Sequence, residues 1–150
     1  MALIIPTVRH FLVCRKFFPV NASYSEVMMR VVFGLRPPPG PRYPIREKEL
    51  HTLVQLVGGA GTFEFGVELF RMDLDPVSVA PASPLVEFEF TDRIAAYSFD
   101  RSFSNVPFER PGLYEFRLFA RSVRGTAGEA PDDMKCQVLA VAPIRMEEAR

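Results

Sequence analysis

Apolar and polar residues alternate with a period of two through much of the chain. In Thr62–Met72, TFEFGVELFRM, residues Phe63, Phe65, Val67 and Leu69 fall on one side, with Glu64, Gly66 and Glu68 opposite. The run LVEFEF sets Val86, Phe88 and Phe90 against Glu87 and Glu89. In IAAYSFDRSF, Tyr97, Phe99 and Phe103 share a parity, with Ser98, Asp100 and Ser102 on the other. The stretch NVPFERPGLYEFRLFA ends by placing Tyr114, Phe116, Leu118 and Ala120 together, while Glu115, Arg117 and Arg121 look away. A strand turns successive side chains to opposite faces, so these are half-buried antiparallel strands with charge facing out.

Less regular apolar runs, VRHFLVC, VMMRVVFGLR, HTLVQLV and CQVLAVA, suit strands buried on both faces or strands whose facing the pattern leaves open. Together they predict about eight strands. Only Asn21–Leu35 competes as a helix, with Ser23 and Ser25 as caps. Its valine-rich second half, Gly34 and the prolines beyond limit it to one short helix at most.

The punctuation agrees. Gly58-Gly59-Ala60-Gly61 reads as a hairpin or bulge, and Pro76, Pro81 and Pro84 bracket a short irregular or edge segment. Pro111 confines Arg110 to extended backbone and Gly112 accepts a positive φ, so Glu109-Arg110 marks a sheet corner whose charges are a solvated pair or a surface bridge. Longer polar loops span Arg36–Glu49 and Arg121–Met134. The expected architecture is one all-β domain over 1–150, an antiparallel β-sandwich, immunoglobulin-like or similar. Its ordered core covers about 7–142, with a short tail at 143–150. The cysteine-tryptophan-cysteine spacing of antibody domains is missing.

Composition sharpens this. Fourteen phenylalanines and no tryptophan supply a strand-favouring core without polar atoms to satisfy. Lys+Arg and Asp+Glu are both 18, so no broad basic field points to nucleic acid. The opening MALIIPTVRHFLVC lacks a basic start and is broken by Pro6 and Arg9, and no run reaches a membrane span, so the cytoplasm is the expected compartment. Cys14 and Cys136, both in apolar strand-like runs, read as buried free thiols, with a disulfide joining the first and last strands as the alternative in an oxidising compartment.

The stretch VPFERPGLYEFRLFA, together with FTDRI, FLVC…VVFGL…YPI and LHTLVQLVGGAGTFEFGVELFRMD, resembles a family of small bacterial β-sandwich proteins of unknown function. The likeness runs loosely over residues 8 to 121 and is strongest around Pro107–Phe119. Cys14 is followed here by Arg15, where that family tends to carry Asp. The resemblance implies a sandwich fold and a bacterial cytoplasm, and it supplies no catalytic residue.

Candidate chemistry is thin. His10 and Cys14 share a strand parity, but four residues span roughly 13 Å, too far for one zinc ion, and His51 and Cys136 carry no ligand spacing. No nucleophile motif surrounds either histidine, Glu87 and Glu89 are outward rungs of a strand, and Gly58–Gly61 lacks the lysine and helix of a phosphate loop. Asp73 and Asp75, with Asp92 and Asp132-Asp133 in other loops, form a weak alternative calcium set. The strongest candidate is the loop LRPPPGPRYPIREKE. Its consecutive prolines make a stiff extended segment, read either as a rigid connection between the sheets or as an arm bearing Arg36, Pro38, Pro39, Arg42, Tyr43 and Arg46, residue types suited to anchoring a partner. The expected function is a non-catalytic protein-interaction or structural module without cofactor. It would bind another protein, or itself through an edge strand, and neither nucleic acid nor membrane. The alternative is a small-ligand- or calcium-binding sandwich.

Overall fold

The computed structural model describes residues 3–19, 27–37, 43–73, 75–80, 84–123 and 136–148. Ten strands run in order: β1 (Thr7–Pro19), β2 (Val27–Val31), β3 (Gly34–Leu35), β4 (Ile45–Val57), β5 (Gly61–Arg71), β6 (Val77–Ala80), β7 (Val86–Phe90), β8 (Tyr97–Phe108), β9 (Gly112–Ser122) and β10 (Gln137–Met146). One sheet has the order β2-β1-β4-β8. The other runs β3-β10-β9-β5-β6, with β7 also on β5. Two open sheets face each other, the expected β-sandwich. No helix occurs among the described residues, and Val27–Val31 of the rival helical stretch is strand.

The inward faces follow from parity. Phe63, Phe65, Val67 and Leu69 of β5 and Tyr114, Phe116, Leu118 and Ala120 of β9 are all buried, as the alternation predicts. They register Phe65 against Ala120, Val67 against Leu118 and Leu69 against Phe116. Aromatic rings fasten this sheet to the other: Phe65 and Phe88 lie 6.0 and 5.6 Å from Phe99, and Phe103 lies 5.2 Å from Phe116. Such pairs add to the burial itself, which for one phenylalanine is worth about 3–5 kcal/mol on truncation.

Four features depart from the simple pattern. Gly58–Gly61 is no hairpin, because β4 and β5 belong to different sheets and the chain crosses between them. Ala60 there exchanges both backbone bonds with Ile4, at 2.9 and 3.0 Å. Two short strands, β3 and β6, raise the count from eight to ten, and β3 pairs with β10 in parallel. β10 continues to Met146, beyond the expected boundary at Ala142, because Ile144 and Met146 point into the core. Finally, inward parity slips in β8: Phe99 and Phe103 face in, then Val106 and Phe108. The slip falls at Asn105, the one described residue other than glycine with a positive φ, at 50°.

Another sheet switch lies between β8 and β9. The ring of Tyr114 is fully buried and meets Phe108 edge-on at 4.9 Å. Its hydroxyl donates to the Arg110 carbonyl at 2.8 Å, the arrangement known as a tyrosine corner. Gly112 follows at φ 136°. Replacing Tyr114 with Phe keeps the packing and removes the tie, so unfolding free energy should drop by about 1–2 kcal/mol. Urea titration should show a lower midpoint at unchanged slope; an unchanged midpoint would remove the hydroxyl from the account of the corner.

Candidate functional site

The proline arm leaves the sandwich where β3 ends. Glu147, just past β10, donates its amide to the Leu35 carbonyl at 3.0 Å. Its carboxylate accepts from Arg36 Nε at 2.6 Å, and its own carbonyl accepts from the Tyr43 hydroxyl at 2.6 Å. One residue therefore holds both feet of the arm, the outgoing one through its side chain and the returning one through its backbone. Tyr43 packs against the core edge and joins Pro44 through a cis peptide bond. Burial pushes its phenol up, with Tyr114 and Glu147 adding to the effect, so it stays a donor. Arg46, at the start of β4, donates to the carbonyl of Asn105 at 3.2 Å.

Of the six arm residues singled out in the sequence, Arg36, Tyr43 and Arg46 thus share one end of the molecule, each engaged by the chain itself. Pro38, Pro39 and Arg42 lie outside the described residues. Beside the feet is a hollow of about 530 Å³, walled by Arg36, Pro111, Arg145, Glu147 and Glu148. Arg36 keeps 59% of its side-chain surface exposed, so it can meet a partner without leaving Glu147.

At the adjoining corner Glu109 and Arg110 are in surface bridges, to Arg71 and Asp73 and not to each other. Arg71, at the end of β5, binds Asp73 at 2.6 Å and Glu109 at 2.8 Å, and Arg110 reaches Asp73 as well. Arg110 and then Arg71 hold the Asp73 carboxyl below the usual carboxylate range. Both of its oxygens face guanidiniums, so a cation there would have to displace two of them. Asp75 is exposed, and Asp132-Asp133 lie outside the described residues. Asp92 instead accepts the amide of Ile94 in a loop turn at 2.9 Å.

Another cluster escaped the sequence, because pairing across strands has no local signature. Cys14 of β1 sits opposite His51 of β4, and His51 Nε2 lies 3.0 Å from Glu49 Oε1 on the outer face of that sheet. The Cys14 thiol contacts the His51 carbonyl at 3.7 Å and has no exposed surface. Burial, and next the Asp100 charge, push it up to about 11. A thiol in that state is a poor nucleophile at neutral pH. No group of three or more histidine, cysteine, aspartate or glutamate residues able to hold a metal occurs among the described residues.

Edge pairing by β10 meets an obstacle. The amides of Arg145 and Glu147 point outward to the carbonyls of Phe33 and Leu35. Strand geometry aims position 143 the same way, and Pro143 has no N–H to offer an incoming strand.

No helix among the described residues is long and apolar enough to cross a membrane. Comparison with protein-family models, with curated proteins and with solved structures yields no match. Function is therefore argued from the geometry.

The thiols provide a test of the site. Both cysteines are free, but only Cys14 is buried as expected; Cys136 stands just ahead of β10 and is exposed, so at pH 8 Ellman's reagent should titrate one thiol in the folded protein and two after denaturation. Because the folded thiol ionises near 11, above its value of about 8.5 in an unfolded chain, the unfolded state releases the proton first. This contribution to stability is complete below about pH 8.5 and is lost as pH rises through 11. Cys14→Ala should flatten that alkaline limb of the stability curve.

Proposed function

We propose that this protein is a non-catalytic interaction module whose proline arm contacts a partner protein. The observation that carries the reading is the double hold of Glu147 on Arg36 and Tyr43. Fixing both feet lowers the entropy that a stiff arm must lose on binding, which favours capture without adding contacts. Exposed Arg36, with the hollow beside it, supplies an anchor of a type enriched at binding hot spots.

The state of the polar groups supports a role without chemistry. Cys14 is held as a thiol, and Asp73 is neutralised by two arginines. A reducing compartment, the cytoplasm in our reading, fits the free thiols of Cys14 and Cys136.

The test separates tethering from folding. A surface ion pair is worth about 0–1 kcal/mol, so combining Arg36→Ala with Tyr43→Phe should lower stability only slightly. Affinity for the partner, identified by pull-down and intact mass spectrometry, should fall at least about tenfold as the arm loosens and Arg36 is lost. Replacing residues 37–42 with a Gly-Ser segment of equal length should abolish capture and leave the thermal midpoint nearly unchanged. Undiminished capture by both variants would refute the arm.

A further inference from the structure

The opposite end of the sandwich, about 40 Å away along the thirteen residues of β4, carries an apolar knob beside an apolar hollow. The knob is Ile94, in the loop between β7 and β8, with 91% of its surface exposed. Its loop is tied down. The amides of Thr91 and Asp92 donate to the Tyr97 hydroxyl at 3.3 and 3.4 Å, and the Ile94 amide donates to Asp92 Oδ1 at 2.9 Å. Ile94 is thus presented to solvent by its own backbone, although its exposure costs free energy.

The hollow measures about 420 Å³. Ile4, Ala60, Gly61 and Phe90 give it apolar walls, and Glu89 and Arg93 border it with opposite charges. Gly61 leaves no room for a side chain: at φ 97° an added Cβ would strike Leu3. Neither Glu89 nor Arg93 has an ion-pair partner among the described residues. Arg93 is also the neighbour of Ile94 in sequence, so knob and hollow lie side by side on one surface.

That juxtaposition is self-complementary. A two-fold axis between knob and hollow carries each Ile94 into the other copy's hollow, as an isologous contact requires. Glu89 and Arg93 both border the hollow, so the same rotation would set Arg93 of each copy toward Glu89 of the other, a charge complementarity that would fix register. The formal net charge of zero adds no long-range repulsion between copies. We propose that a second copy of this chain docks here, forming a two-fold dimer through reciprocal insertion of Ile94. This contact uses a loop and not an edge strand, and it is independent of the proline arm.

Sedimentation velocity on the full chain, from about 10 µM to about 1 mM, covers the range of small transient interfaces. A reversible monomer–dimer equilibrium is expected. Ile94→Asp should weaken it at least about tenfold, because one buried isoleucine side chain is lost at each of two sites. The circular dichroism spectrum and melting midpoint should not change, since the side chain is exposed. Glu89→Arg and Arg93→Glu should each weaken the dimer, and the two combined in one chain should restore it. A wild-type chain monomeric across the range would overturn the proposal, as would a dimer indifferent to Ile94→Asp. Ile94-dependent pelleting of a monomer with phosphatidylcholine–phosphatidylglycerol vesicles would assign the knob to a lipid surface and equally overturn it. Partner capture by the arm should survive Ile94→Asp, so failure here leaves the arm reading untouched.

Discussion

The Tyr114 hydroxyl reaches the Arg110 carbonyl from a ring with no exposed surface, and the geometry of one whole end of the sandwich depends on that tie. Three residues, Glu109 to Pro111, carry the chain from one sheet to the other. Turning so sharply leaves backbone groups without ladder partners, and the phenol satisfies one of them while its ring fills the gap against Phe108. With the corner held, β9 starts at Gly112 and pairs with β10 so that Met146 falls opposite it. Glu147 then emerges at the same end, beside β3, where it can hold Arg36 and Tyr43. The arm is positioned by the corner, through the register of a ladder.

The same corner decides where the charges go. Pro111 offers no amide to bond, and the chain bends at Arg110 and Pro111. Glu109 and Arg110 therefore meet Arg71 and Asp73 across the corner and not each other. The opposition of Asp73 to two guanidiniums is a consequence of sheet packing, and a cation at Asp73 would compete with both.

Strands with a strict period of two were legible residue by residue. β5 and β9 have the inward sets their alternation predicts, because both lie inside the six-stranded sheet with one face on the core. The pattern failed where backbone conformation intervened. At Asn105 a positive φ lets β8 exchange parity, so Ser104 and Asn105 are both exposed before Val106 turns in. Arg101 carries the parity of Phe99 and Phe103, yet a charged residue breaks the apolar reading; its guanidinium lies 5.8 Å from the Phe99 ring centroid. The shortest strands, β3 and β6, are too brief for any periodicity to register. Their pairing is set by the neighbours they lie beside.

The candidate site was legible in its composition and illegible in its attachments. Three successive prolines flanked by arginine and tyrosine mark a stiff arm wherever they occur. Nothing local marks Glu147, which contacts residues 111 and 104 positions earlier; it reads as part of a polar tail until β10 is seen to continue to Met146. Cys14 and His51 are likewise joined only by the β1–β4 register. Contacts of this kind come from topology, and alternation constrains topology only as far as the class of fold.

The two ends of the sandwich differ in physical character, and that difference bears on how they would work together. One end is polar, with Arg36, Arg71 and Arg110 in ion pairs and its arm held at both feet; the other exposes an isoleucine next to an apolar hollow. A rigid stack of strands about 40 Å long separates them. Joining two copies through the apolar ends would set the two arms at opposite extremes of the assembly, about 80 Å apart by the same rise per residue. Two arms so placed could not grip one small partner together. They would gain avidity only on a repeating or extended target whose sites match that separation. In such an assembly the rigidity that the tyrosine corner and the phenylalanine core supply would make the spacing selective.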